Sequence, residues 1–294
     1  MTQGLDASGS VVRRWQLAAG LKAQREQAGL TQEQAIERLV TGSGRWSRSK
    51  LSRVENREHH VKPREVEQLL EAYGVTDSAT SDELVQLSEV SREGDWWVRF
   101  AGDLPGGLRP LLSLESGLVA LRDFQNQLVH GLLQSADYTR ALAMSINPGR
   151  FSPAELERRV AARMARQQIL AREDPPQLHF ILDETILQRL IGDRIVMHDQ
   201  TRKLLRATEK PNITIQILPR DVGGSPGLEG PFSILTLPAP IPDVGYTEGA
   251  QGTFYIEDRD RVRHWMLRFG MLTQRAWSRE KSVEAIAEAM KNYE

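Results

Sequence analysis

Gly29 constrains this chain more than any other residue. Before it, Leu17, Leu21 and Ala28 supply apolar positions in a helical stretch from about Arg13 to Gln27, and glycine just past a helix end commonly closes it. After it, Thr31 with Gln34 three residues later has the reciprocal capping pattern that opens a second helix, with Ala35, Ile36 and Leu39 as its inward stripe. A looser stretch follows through Trp46. Ser47 is placed to cap a third helix running to about Glu55. Pro63 marks the first turn of a fourth, in which Val66, Leu69, Leu70 and Tyr73 point inward. Residues 10–75 therefore read as a small all-α domain of four to five helices.

The third helix carries the chemistry. At 100° per residue, Leu51 and Val54 share the inward side, and Arg48, Ser49, Ser52 and Arg53 lie opposite. Arginine can offer two donors at once to guanine O6 and N7, and serine accepts either base type, so this face suits the DNA major groove. Charge agrees with that reading. The whole chain carries a net charge of −1, yet seven basic and two acidic residues fall between Thr41 and Arg64, and a local positive patch displaces counterions from phosphates. An exposed helix bearing ordinary solvated arginines would show the same pattern.

The runs Gly29-Leu-Thr-Gln-Glu-Gln-Ala35 and Ser47-Arg-Ser-Lys-Leu-Ser-Arg-Val-Glu-Asn56 resemble the xenobiotic-response-element (phage Cro and repressor-like) helix-turn-helix family. That resemblance implies that Gln32 contacts phosphate and base edges, and that Arg48, Ser49 and Arg53 read bases. It also implies that Asn56 and Arg57 contact the DNA backbone, with Lys50 and Lys62 as flanking phosphate contacts. The segment between the second and third helices is longer than is usual in that family. Arg45 within it either reaches an adjacent phosphate or is solvated.

Residues 76–113 read as a polar linker, a short helix with Leu84, Leu87 and Val90, and a turn-rich transition. A second domain is expected over 114–294. Helices are expected at 115–129, 135–146, 152–172, 184–191, 195–209, 259–276 and 279–293, and strands at 178–182, 213–218, 232–237 and 253–256, which makes it α+β. Trp96-Trp97, Glu115, the segment from Val129 to Leu142, Ala162–Leu170, Leu182-Asp-Glu184 and Pro211–Pro219 resemble the WhiJ-like regulators of streptomycetes. His130 stands where a proline is expected. The resemblance implies transcriptional control of development or secondary metabolism, and a small acidic protein encoded by a neighbouring gene as partner, in arrangements likened to antitoxin–toxin pairs.

A single small helical domain touches few base pairs, so a homodimer on paired half-sites of double-stranded DNA, one or more helical turns (roughly 34 Å) apart, is expected. The larger domain would dimerise and receive a protein or ligand signal. Trp96 and Trp97, whose side chains diverge, could couple the two domains.

Enzymatic chemistry finds little support. The chain has no cysteine, and its six histidines, His59, His60, His130, His179, His198 and His264, lack metal-ligand spacing, so neither a metal nor a cofactor is expected. Asp183-Glu184 reads as a helix start more readily than as a general base. The Gly-rich stretch 221–230 lacks the phosphate-loop and dinucleotide signatures and reads as a loop between strands, or as a lid. Arginines in 158–172 alternate with glutamates, as on a solvated helix or on a face for an acidic partner. No run of 18 apolar residues and no apolar segment after Arg13-Arg14 appears, so a cytoplasmic, nucleoid-associated protein without membrane contact is expected.

Overall fold

The computed structural model describes residues 10–40, 46–89, 100, 102, 108–249 and 252–294. The chain divides into two compact units, Met1–Asp95 with Leu237–Pro242 and Trp96–Thr236 with Asp243–Glu294.

The first unit is helical: α1 (Ser10–Gln27), α2 (Gln32–Val40), α3 (Arg48–Glu55), α4 (Pro63–Tyr73) and α5 (Ser78–Ser88). Its boundaries are chemical. Gly29 adopts the left-handed conformation (φ 67°) that glycine reaches without a steric penalty, and so turns the chain out of α1. Thr31 and Gln34 bond reciprocally, the Thr31 N–H to Gln34 Oε1 (2.8 Å) and the Gln34 N–H to Thr31 Oγ1 (3.2 Å). Ser47 Oγ accepts the Lys50 N–H at 3.2 Å, and Pro63 occupies the first turn of α4. One apolar core joins all five helices, running from Leu17 and Leu21 through Leu39, Leu51 and Val54 to Leu69, Leu84 and Leu87. The helical core thus continues past residue 75. Gly20 makes this possible, because a β-carbon there would lie 2.5 Å from Leu84 Cδ2.

The second unit is built on a six-stranded sheet of order β3-β2-β1-β4-β5-β6, where β1 is Ala120–Gln125, β2 Gln177–Asp183, β3 Ile213–Leu218, β4 Phe232–Thr236, β5 Val244–Gly249 and β6 Gly252–Ile256. The first three strands are parallel and the last three join antiparallel. Helix α6 (Leu108–Glu115) precedes β1. Helices α7 (Ala136–Ile146) and α8 (Pro153–Arg166) separate β1 from β2, while α9 (Thr185–Gln188) and α10 (Arg194–Thr208) separate β2 from β3. Helices α11 (Arg259–Arg275) and α12 (Arg279–Lys291) follow the sheet in sequence. The fold class is as expected, an all-α helix-turn-helix unit followed by a larger α+β unit.

Both faces of the parallel strands are covered, as parallel sheets require. Phe124, Ile181 and Ile234 pack with Val262, Phe269 and Leu272 of α11. Alternate residues such as Leu178, Phe180, Ile215 and Ile217 are buried on the opposite face. The β3 edge is protected at the start of α12: the Ile217 N–H donates to Ser282 Oγ (2.9 Å), and the Trp277 N–H donates to Ile217 O (2.9 Å).

One expectation fails clearly. Residues 115–129 form no helix, because α6 ends in a turn at Ser116-Gly117 and Ala120–Gln125 is the central strand. Leu114, Leu118 and Leu121 mimic a helical stripe across that break. Strand β5 was likewise not expected, and residues 167–171 form a 3-10 turn after α8.

The joint between α1, α2 and α3 holds a buried ion pair. Arg25 donates through Nε to Glu55 Oε1 (2.6 Å) and through Nη2 to Oε2 (2.9 Å), while Nη1 reaches Leu30 O (2.7 Å). The two side chains are only 9% and 4% exposed. The Glu55 bonds hold the Arg25 guanidinium above its usual pKa. Removing one partner strands the other charge, which typically costs about 3–5 kcal/mol. We expect Glu55→Gln to lower the stability of the helical unit by about that much in denaturant unfolding; an unchanged midpoint would mean that the pair is not needed.

Candidate nucleic-acid interface

Helix α3 presents two contrasting sides. Leu51 and Val54 are fully buried. Arg48, Ser49 and Arg53 are exposed on the other side, and Ser52 is partly buried, accepting a hydrogen bond from Asn56 Nδ2 (3.3 Å). Arg48 pairs with Glu33 of α2 at 2.9 Å, with both side chains more than half exposed. Arg53 has no hydrogen bond or ion pair from its side chain among the described residues.

The remaining residues singled out in the sequence are held differently. Gln32 donates from Nε2 to Glu55 Oε2 at 2.9 Å, which ties the start of α2 to the buried ion pair. Lys50 lies 4.3 Å from the centre of the Trp46 ring and bonds Glu65 Oε1 at 2.5 Å. Glu65 also accepts the Lys62 N–H at 2.9 Å, so one carboxylate joins α3 to the start of α4. Asn56 caps α3, and Arg57 closes it with φ 68°, an unusual conformation for a residue with a side chain. The Arg57 guanidinium lies 3.9 Å over the Trp15 ring. Lys62 is exposed. Arg45, Trp96 and Trp97 lie outside the described residues. Arg48, Ser49 and Arg53 thus share one open face, flanked by Asn56, whereas Gln32 and Lys50 point into structural contacts.

Residues 16–84 match the model of a helix-turn-helix domain. Residues 108–288 match a Domain of unknown function, DUF5753, over more than half of the chain. This chain belongs to the DUF5753 family. No curated protein and no solved structure matches it. The N-terminal unit is a helix-turn-helix DNA-binding domain of a transcription regulator, and no helix of the described residues is long and apolar enough to cross a membrane.

The DUF5753 domain holds a polar cluster that the sequence did not reveal. Asp123, in the central strand, is fully buried. Its Oδ2 accepts from Ser233 Oγ (2.6 Å) and Gln125 Nε2 (3.0 Å), while Oδ1 has no partner among the described residues. Burial pushes this carboxyl up to about 7, against the pull of Ser233, Gln125 and Arg166. His130 Nε2 lies 3.9 Å from Oδ2. The His130 Nδ1 accepts the Leu132 N–H (3.2 Å), and burial together with Arg166 and Arg163 holds the ring well below its ordinary pKa. Arg166 pairs with Glu115 through two bonds of 2.7 and 2.6 Å, both side chains buried. Of the arginines in 158–172, read in the sequence as a solvated helix or a face for an acidic partner, Arg166 therefore turns inward and Arg158 stays exposed. The partner of Arg166 was hidden because Glu115 is distant in sequence and β1 resembles a helix.

Two other candidates make structural contacts. Asp183 Oδ1 accepts the Thr185 N–H (2.9 Å) at the start of α9, in keeping with the helix-start reading. The glycine-rich segment is tied to α11, where Arg268 donates to Pro226 O and Arg275 to Gly224 O, each at 2.7 Å.

The Asp123 environment fixes a sign. An unfolded Asp titrates near 3.9, below its folded value of about 7. The folded state therefore binds the extra proton between those values, and this group's contribution to stability falls as the pH rises from about 4 to 7. Asp123→Asn has no proton to lose. Its stability relative to the parent should climb across that window, by on the order of a few kcal/mol; parallel pH profiles would show that Asp123 stays ionised.

Proposed function

We propose that this protein is a sequence-specific repressor of the xenobiotic-response-element type that binds paired half-sites as a homodimer. The outward face of α3 carries the reading: exposed Arg48, Ser49 and Arg53 stand on a helix anchored by the buried Arg25–Glu55 pair. Arg48 and Arg53 read bases with help from Ser49 and Ser52. Asn56, Arg57 and Lys62 meet the sugar–phosphate backbone. Gln32 and Lys50 act largely through Glu55 and Glu65, by fixing how α3 is presented.

The DUF5753 domain acts by binding, without catalysing a reaction. It joins the two protomers and receives the signal, a small molecule or a small acidic protein encoded nearby, as the resemblance to WhiJ-like regulators implies. The signal changes DNA affinity to the extent that it favours one spacing of the two α3 helices over another.

Selected-oligonucleotide binding gives the operator and tests these roles. Arg48→Ala and Arg53→Ala should each cost about 1–3 kcal/mol and relax specificity at one position. Arg57→Ala and Lys62→Ala should weaken binding to all sequences and reduce the salt slope by about one. Intact operator affinity in the Arg48/Arg53 double variant would place the reading face elsewhere.

A further inference from the structure

Arg163 stands out among the inward arginines of α8. Arg166, one turn on, has Nε and Nη2 committed to Glu115. The partly buried Arg163 side chain has no hydrogen bond or ion pair among the described residues. Both guanidinium groups converge on Gly131, whose missing β-carbon lets them approach the backbone. A β-carbon there would clash with Arg163 Nη1 and would lie 2.8 Å from Arg166 Nη1.

The turn around Gly131 offers these groups little in return. The Gly131 and Gln134 carbonyls accept from Gln167 Nε2 (2.9 and 2.8 Å), and Gln134 O also accepts from Lys203 Nζ (2.8 Å). The His130 carbonyl takes the Leu133 N–H at 2.8 Å. Two cationic ends therefore face one point; Glu115 is bonded to Arg166, while Glu248 and Glu115 act on Arg163 only through space, without a direct bond. Buried charges are normally paired, and like charges held together out of water repel strongly. Burial and the neighbouring Arg166 push Arg163 down to about 10, against the opposing pull of Glu248 and Glu115.

We propose that the Nη1 ends of Arg163 and Arg166, converging over Gly131, bind a compact oxyanion on a small molecule, either a carboxylate or a phosphate. Arginine forks match both groups in geometry and charge. Gly131 and Arg166 are buried and Arg163 is only partly exposed, which favours a small anion over a protein surface. As the signal site of a regulator this inference rests on the proposed function; as an anion site it does not.

The test titrates the full-length protein, without DNA, with inorganic phosphate and separately with acetate, against sodium chloride at matched ionic strength. Calorimetry and the unfolding midpoint are read. Saturable binding with a raised midpoint is expected for at least one anion. Phosphate alone points to a phosphorylated molecule, acetate alone to a carboxylic acid, and both to the shared oxyanion chemistry. Arg163→Met should weaken binding at least about tenfold and leave the midpoint in chloride equal or higher, since it removes a repelling charge. Arg163→Lys, which keeps the charge without the fork, should bind several-fold more weakly than the parent and serves as the test if the Met variant does not fold. No saturable response to either anion, an unchanged response in both variants, or a lowered midpoint for Arg163→Met in chloride would overturn the proposal. Because no DNA is present, failure of the operator measurements leaves this outcome untouched.

Discussion

The Arg25–Glu55 pair fixes the geometry on which the exposed face of α3 depends. Glu55 is the last residue of α3, Arg25 lies in the last turn of α1, and Gln32 begins α2, so one carboxylate gathers three helices. Burying two charges is expensive, and a hydrophobic substitute of the same shape can be as stable. What a hydrophobic substitute lacks is direction. Two parallel bonds from a planar guanidinium to a planar carboxylate permit few relative orientations, and the third nitrogen is spent on Leu30 O. The angle at which α3 presents its outer residues is therefore set by hydrogen bonds as well as by apolar packing.

A second carboxylate does related work at the other end of α3. Glu65 takes the Lys50 ammonium on one oxygen and the Lys62 backbone N–H on the other, which links the first turn of α3 to the start of α4. Trp46, buried just before the helix, stacks under Lys50 and donates from its indole N–H to Gln68. The entry to α3 is thus anchored on the described side of the chain at Trp46, and the helix is held at both ends.

Local signals were legible in the sequence because local chemistry decides them. Thr31 with Gln34, Ser47 and Pro63 all mark helix starts that the structure contains. Pairing at a distance was not legible. Nothing near Arg25 points to Glu55, and nothing near Arg166 points to Glu115, 51 residues away. The central strand was hidden for a related reason: Leu114, Leu118 and Leu121 satisfy a helical period although Leu114 belongs to α6, Leu118 follows the turn at Ser116-Gly117 and Leu121 belongs to β1. Asp123 was lost with that strand, since its inward direction follows only from the alternation of β1.

Charge counting along the sequence treats every arginine alike, whereas the structure sorts them by what they already hold. Arg25 and Arg166 grip buried carboxylates bidentately, and pulling either away would strand a charge. Arg48 holds Glu33 in the open, where solvent screening leaves an ion pair worth little. A well-placed bidentate contact to guanine discriminates by about 1–3 kcal/mol. In the proposed complex, exchange of Glu33 for a base edge is therefore favourable only when the correct base is present, and with other bases Arg48 returns to its carboxylate. On the proposed reading, Glu33 in this way sharpens the selectivity of the arginine it holds, while Arg53, with no such partner among the described residues, adds attraction to DNA of any sequence as well as reading.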